Sequence, residues 1–296
     1  MLALFICFVC AAPAMAAPAQ FPPIVQPPSN EHHEGKVIFV ELVTPDLAAA
    51  KQFYAGLFGW TFRDIQTGGK TGGKKYAEAL LDGHPVAGLF QRRLPAGKHR
   101  RPAWLSFFSV RNVDAAKKAA AQDGAKVLFG PRDIPGRGRE AVFADPQGAV
   151  FAVLASGSGD PADVLAAPGE WIWSSLITTD PDTDAAFYQK LFGYDVFPLP
   201  ASGNARHLLL ASENYARASV NSIPVKKPGL HPHWLNFVRV EDAEKTAAKV
   251  AALGGRVLVA PRTDRQGGKI ALIADPFGAV FGLLEWPGTK SMEAPR

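Results

Sequence analysis

The stretch Phe53-Tyr54-Ala55-Gly56-Leu57-Phe58-Gly59-Trp60 decides the fold, because the chain writes it twice. It returns as Phe187-Tyr188-Gln189-Lys190-Leu191-Phe192-Gly193-Tyr194. Working outward, Trp104-Leu105 returns as Trp234-Leu235, and Val127-Leu128-x-x-Pro131-Arg132 returns as Val257-Leu258-x-x-Pro261-Arg262. Ala144-Asp145-Pro146-x-Gly148-Ala149-Val150-Phe151 returns as Ala274-Asp275-Pro276-x-Gly278-Ala279-Val280-Phe281. Order is kept and one change of four residues in spacing separates the first match from the rest, so this is a duplicated domain with a period of about 130 residues, too long for a solenoid. The 296 residues suit two ordinary domains. At 47% hydrophobic and 20% charged, the composition is that of a globular chain, which excludes disorder, a collagen-like repeat and a multi-span membrane protein.

Each copy divides again. Val37 to Val43 is apolar and rich in β-formers, and Asp46 then opens a helix as its N-cap. Ala50, Phe53, Tyr54 and Leu57 share one helical face, and Gly59 ends the helix. Strands follow around 60–65, 75–81 and 85–90. The second half of the copy repeats the plan, with a strand over 103–110, a helix over 113–122 and strands around 126–129, 139–144 and 149–154. The unit is βαβββ, twice per copy. The expected fold class is α+β, with two tandem domains, each of paired βαβββ units forming a curled mixed sheet. The domains are placed at 36–156 and 170–286, with a linker at 157–169 and a tail at 287–296.

Residues 2–12 are almost entirely apolar and Ala14-Met15-Ala16 is a small-x-small cleavage site, so residues 1–16 read as a signal peptide and the protein as periplasmic or secreted. No Lys or Arg precedes the apolar run, which departs from the usual signal. Cys7 and Cys10, the two cysteines of the chain, lie in that segment, so cleavage removes disulfide and thiolate chemistry. Residues 17–35 carry five prolines and read as an extended tether, on which His32 and His33 offer at most a loose metal contact. The net charge of +5 is spread thinly, and Lys98-His99-Arg100-Arg101 reads as a solvated loop. Neither nucleic acid nor, after signal cleavage, a membrane is an expected partner.

The tandem βαβββ plan, the helix end at Phe53–Trp60 and the late Asp-Pro-x-Gly-Ala-Val-Phe turn resemble the vicinal oxygen chelate superfamily. That superfamily includes glyoxalase I, bleomycin- and fosfomycin-resistance proteins and extradiol dioxygenases. The resemblance covers 36–156 and 170–286, and the segment Phe39 to Trp60 looks most like the bacterial tandem glyoxalase-like subgroup. It implies cups that hold a divalent metal through His or Glu on the first and last strands of each unit. Laid on this chain, those positions fall on Phe39 and Trp173, on Leu105 and Leu235, on Ala152 and Gly282, and near Ala87 and Ala218. None can ligate through its side chain. Neighbours two residues away add only Glu41 in one copy and His233 in the other, whereas a first-row metal needs about three ligands. The expectation is therefore no inherited cofactor, with a divalent metal on rearranged ligands as the alternative.

Without metal, the cup lining is Phe39, Leu105, Phe107, Trp173, Leu235 and Phe237, which suits a flat or hydrophobic small-molecule ligand. The competing reading is that these rings fill a collapsed cup. Glu41 is a candidate general base, or else an edge-strand charge paired with an arginine, and Glu78 and His84 are candidates to join it. His233 is the candidate histidine. Arg132 and Arg262 are expected to hold the turns at Asp145 and Asp275 rather than a substrate anion. Thr67 to Lys75 lacks P-loop spacing and reads as a hairpin loop. The functional expectation is a glyoxalase-like small-molecule-binding protein, with metal-independent isomerase or lyase activity open. The alternatives are a divalent-metal lyase or dioxygenase and a drug-sequestering resistance-type protein. A homodimer is compatible with either.

Overall fold

The computed structural model of the chain describes residues 20–66, 75–93, 102–201, 203, 205–223, 230–264, 267–286 and 288. The expected signal peptide, the stretch 67–74, the basic run 98–101 and nearly all of the tail lie outside the described residues. Among those described, no helix is long and apolar enough to cross a membrane.

The first copy runs β1 (Val37–Thr44), α1 (Leu47–Phe58), β2 (Thr61–Gln66), β3 (Lys75–Leu81), β4 (His84–Gln91), β5 (Ala103–Ser109), α2 (Val113–Gln122), β6 (Lys126–Ile134), β7 (Gly138–Ala144) and β8 (Val150–Ser156). The second runs β9 (Trp171–Thr178), α3 (Pro181–Phe192), β10 (Asp195–Pro198), β11 (His207–Ser212), β12 (Tyr215–Ser222), β13 (His233–Arg239), α4 (Ala243–Val250), β14 (Arg256–Thr263), β15 (Lys269–Ala274) and β16 (Val280–Glu285). Each copy is one eight-stranded mixed sheet, ordered β2-β3-β4-β1-β5-β8-β7-β6 and β10-β11-β12-β9-β13-β16-β15-β14. The two βαβββ units of a copy join through an antiparallel seam, β1 to β5 and β9 to β13.

The local signals act as read. The Asp46 carboxylate accepts from the backbone N–H groups of Ala48 and Ala49 at 2.9 and 3.1 Å, satisfying donors that the first helical turn leaves open. Gly59 ends α1 in the left-handed conformation, at φ 76°. One strand is longer than expected: β6 continues past Pro131 because its register with β7 slips twice, between Val127 and Phe129 and between Phe129 and Arg132. As the edge strand it tolerates a proline that cannot donate to a ladder.

The two larger cores, which hold the helices' buried faces, are each built from both copies. Val40, Leu42, Phe53 and Tyr54 pack with Val250, Ile273, Phe281 and Leu283. Phe108, Phe151 and Val153 pack with Tyr188, Phe192, Leu210 and Trp234. The first half of one copy thus meets the second half of the other. A matched pair of buried bonds fixes this crossing. Tyr188 Oη donates to Asp145 Oδ2 at 2.9 Å and accepts from Trp234 Nε1 at 2.9 Å. Tyr54 Oη donates to Asp275 Oδ2 at 3.3 Å and accepts from Trp104 Nε1 at 3.1 Å. The repeated tyrosine and aspartate therefore recognise each other across the copies. This corrects the role expected for Arg132 and Arg262, which are exposed on the edge strands β6 and β14. The aspartates are instead satisfied by a tyrosine and by the N–H groups of their own turns.

The proline-rich segment also differs from expectation. Residues 20–35 are not an unpacked tether but lie against the first copy. Ile24 is buried with Phe39, Phe107, Ala152 and Leu154. Phe21 N–H donates to the Pro135 carbonyl at 2.8 Å, and Ser29 N–H to the Ser158 carbonyl at 2.8 Å. Proline removes donors from such a segment but leaves its apolar side chains free to cover a cup.

Candidate functional site: two cups of opposite character

In a sheet, residues paired across neighbouring strands point to the same face. In the first copy one such row is Arg63, Glu78, Gly88, Glu41 and Leu105. The next row is Phe39, Phe107, Ala152 and Val142. Both rows face away from the helices, into a concave surface here called cup one. The turn between β6 and β7 sends Arg137 into it, and that side chain is 3% exposed. Its Nη1 donates to Glu41 Oε2 at 3.0 Å and its Nη2 to Tyr76 Oη at 2.5 Å. The rings of Phe39, Phe21 and Tyr76 stand 4.6, 5.1 and 5.3 Å from the guanidinium carbon, a cation–π arrangement on several sides. Gly88 has to be glycine, because a Cβ there would lie 2.1 Å from Tyr76 Oη.

Glu78 joins the same face and is 2% exposed, with Arg63 donating to it at 3.0 and 2.5 Å. Burial pushes its carboxyl up, against the pull of Arg63. Glu140, on β7, is pushed up to about 7, by burial first and then by the Glu41 charge. Glu140 Oε2 and Arg137 Nε are buried without a hydrogen-bond partner among the described residues. The Tyr76 phenol is raised by burial, so it serves as a neutral acceptor for Arg137.

Cup two, on the second copy, is built from the same rows with different chemistry. Glu41 is replaced by Ser175, Gly88 by Ser219, Phe39 by Trp173 and Ala152 by Gly282. Trp173 Nε1 and Asn221 Nδ2 each donate to Ser219 Oγ at 3.1 Å, and the Ser175 and Ser219 hydroxyls lie 2.8 Å apart. Leu235 and Phe237 form a buried floor, around which Trp173, Ile177, Ile270, Leu272 and Trp286 are only partly buried. A further row places His207, Asn221, Ile177 and His233 on this face. His233 Nδ1 lies 2.8 Å from the His231 carbonyl, which can only accept, so the proton sits on Nδ1 and Nε2 is the basic nitrogen.

A cavity of about 320 Å³ lies between the copies beneath the linker, with Phe39, Trp171, Trp173, Lys36, Asp163 and Arg217 among its walls. On its wall Asp163 binds Arg217 at 2.5 Å and Lys36 at 2.8 Å. Beside it, His33, Asp163 and Glu213 form a group that could hold a metal ion. Arg217 and Lys36 occupy both of those carboxylates, so an ion would have to compete with two cations.

The expected site residues divide between the two cups, although Phe39 and Trp173 both border the cavity between the copies. Phe39, Leu105 and Phe107 line cup one beneath Ile24 and Val25, while Trp173, Leu235 and Phe237 line cup two. Glu41 and His233 belong to different sheets, so they do not form one pair. Glu41 is not on an edge strand, since β1 is fourth of eight, although its pairing with an arginine is as expected. Glu78 does join Glu41 on one face, whereas His84 is exposed at the start of β4. Arg137, Glu140 and Tyr76 were not singled out by sequence. The signal that could have found Arg137 is Pro135-Gly136-Arg137-Gly138, where glycines free the backbone on both sides of an arginine.

The inherited metal positions do not fit an ion. Phe39, Leu105 and Ala152 face cup one and Trp173, Leu235 and Gly282 face cup two without a donor side chain, and the Phe237 ring lies 2.0 Å from where a Cβ on Gly282 would be. Ala87 and Ala218 turn instead into the helix-side cores, which corrects their expected place, and Gly88 and Ser219 stand on the cup faces beside them.

Comparison with known proteins agrees with this architecture. Residues 36–153 match the Glyoxalase/Bleomycin resistance protein/Dioxygenase superfamily and residues 174–284 match the glyoxalase-like domain. A putative glyoxylase, CFP32, of Mycobacterium tuberculosis (strain CDC 1551 / Oshkosh) is 32% identical over 259 residues, covering 88% of this chain and 98% of that protein. The anthracycline biosynthesis protein DauV of Streptomyces sp. (strain C5) is 32% identical over 269 residues, covering 85% of this chain and 93% of that one. Among solved structures, the Mn(II)-bound glyoxalase from Novosphingobium aromaticivorans superposes with a TM-score of 0.60 at 18% identity, covering 88% of this chain and 85% of that one. The 2,2',3-trihydroxybiphenyl 1,2-dioxygenase from Sphingomonas wittichii strain RW1 superposes with a TM-score of 0.56 at 13% identity, covering 88% and 92%. These two likenesses establish the fold alone. The chain belongs to the glyoxalase/bleomycin resistance/dioxygenase superfamily, as a tandem glyoxalase-like protein.

Proposed function

We propose that the protein binds a flat, largely apolar small molecule in cup two, against Trp173. One observation carries this reading: cup two keeps an incompletely buried ring of Trp173, Ile177, Ile270, Leu272 and Trp286 over a floor of Leu235 and Phe237, whereas the chain's own Ile24 fills cup one. Partly buried aromatic and aliphatic side chains with a few hydroxyls are the make-up of a small-molecule receptor. The likeness to proteins named for anthracycline biosynthesis supports a planar polycyclic ligand. Any reaction in this cup is a metal-independent isomerisation or elimination in which His233 Nε2 moves a proton, since His233 shares the face of Trp173. The apolar run 2–12 followed by Ala14-Met15-Ala16 supports a signal peptide over residues 1–16 and a periplasmic or secreted mature protein.

Calorimetric titration with an anthracycline tests the receptor. Trp173→Ala should weaken binding at least tenfold and Phe39→Ala should leave it unchanged. Equal affinity for Trp173→Ala and the unaltered chain would sink the proposal. Recovery of the ligand at unchanged mass after incubation would favour sequestration, and a product that His233→Ala fails to form would favour catalysis.

A further inference from the structure

Cup one gathers Glu41, Glu78 and Glu140 on one concave face. Carboxylates withdrawn from water require a cation nearby or must give up their charge. Arg63 reaches Glu78 from the edge of the sheet, and that side chain is half exposed. Deeper in, the charge is supplied by Arg137. Its guanidinium lies over the ring of Phe39, which stands where the fold's first-strand metal ligand is expected. It also binds Glu41, the carboxylate nearest that position, and Tyr76. The Tyr76 phenol in turn fills the space above Gly88, the residue of β4 that pairs with Glu41 on this face.

We propose that the Arg137 guanidinium is the resident cation of cup one, standing where this fold elsewhere places a divalent ion, and that cup one consequently takes no metal. A guanidinium is permanently charged, planar and weakly hydrated, so it can be held dry between aromatic faces while donating in its plane to a carboxylate and a phenol. The chain is built to keep it there. Arg137 sits between Gly136 and Gly138, both at positive φ, in the turn that joins β6 to β7. A Cβ on Gly136 would come within 2.1 Å of the Phe21 carbonyl oxygen, so the N-terminal segment lies directly on this turn. Phe21 also bonds Pro135 through its backbone and sets its ring on Tyr76, 5.0 Å between centroids. An ion entering beside Glu41 would drive the guanidinium against these rings without a counterion. Ion and arginine therefore exclude each other.

Metal content of the full chain after incubation with Mn²⁺ and desalting tests this, with His33→Ala present throughout to remove the His33–Asp163–Glu213 group. The chain with Arg137 intact should carry the same metal with and without Glu41→Gln. Arg137→Ala should bind Mn²⁺ at least tenfold more tightly, and adding Glu41→Gln should abolish the gain. A stoichiometric ion in the Arg137 chain that Glu41→Gln removes would overturn the proposal. So would an Arg137→Ala chain with native circular dichroism and no added affinity for Mn²⁺. If Arg137→Ala does not fold, the comparison with and without Glu41→Gln decides alone.

Discussion

Glu140 shows most directly how a single side chain carries the tension in cup one. Its carboxyl has a folded pKa of about 7, raised by burial and by Glu41. A carboxyl raised on folding favours the fold in its protonated form. It therefore costs nothing below its unfolded value, costs progressively more as pH rises toward about 7, and costs a constant amount above that. Glu140→Gln should accordingly raise stability at pH 8 by about 1–3 kcal/mol and change little at pH 4, as measured by urea unfolding at both pH values. Tyr188 gives the opposite case. Tyr188→Phe strands the Trp234 Nε1–H and one oxygen of Asp145 in the core, and should cost about 1–3 kcal/mol at neutral pH by the same measurement. The two differ in what the sequence shows of them. Tyr188 stands in a repeated motif, so its importance was legible although its partner was not. Glu140 has no counterpart, because the second copy carries Ile270 at the matched place. What marks Glu140 is the carboxylate across the cup, which no local pattern encodes.

At the scale of elements, periodicity and caps located the helices and most strands, because these depend on spacing within a few residues. Asp46 and Gly59 bound α1 where they were expected to. The edge strand β6 ran longer because bulges let it continue past a proline, a feature set by its pairing with β7. The N-terminal segment departs from the expected tether for a related reason. Proline density argued for extended chain, and the segment is indeed extended, but Ile24 and Phe21 find a cup to cover. Ile24→Ala should therefore cost about 2–4 kcal/mol, unlike a substitution in a free tether, with the shift in unfolding midpoint as the check. The same substitution should speed hydrogen exchange of backbone amides in β7 and leave those in β15 unaffected, since only the first copy is covered.

For the whole molecule, the duplication matters because the copies share their cores. Each aromatic core mixes residues from both halves of the chain. A chain limited to 36–156 should lose the partners of Phe53, Tyr54 and Phe108 and expose that apolar face. Light scattering should then find it self-associated or aggregated, where an independent domain would give a folded monomer. A soluble, cooperative monomer from that piece would mean that the shared cores are dispensable.

The duplication and the βαβββ plan are legible in the order of residues. These are properties of residue type and spacing along the chain. Tertiary structure alone decided that the two cups diverge. Arg137 reaches Glu41, 96 residues away, and Phe21 settles on Tyr76. Tyr188 finds Asp145 in the other copy. Each of these contacts lowers the energy of a buried charge, ring or hydroxyl only once the sheets have curled and the copies have docked. Their physical cause is proximity in space, so the order of residues shows the participants but not the pairings.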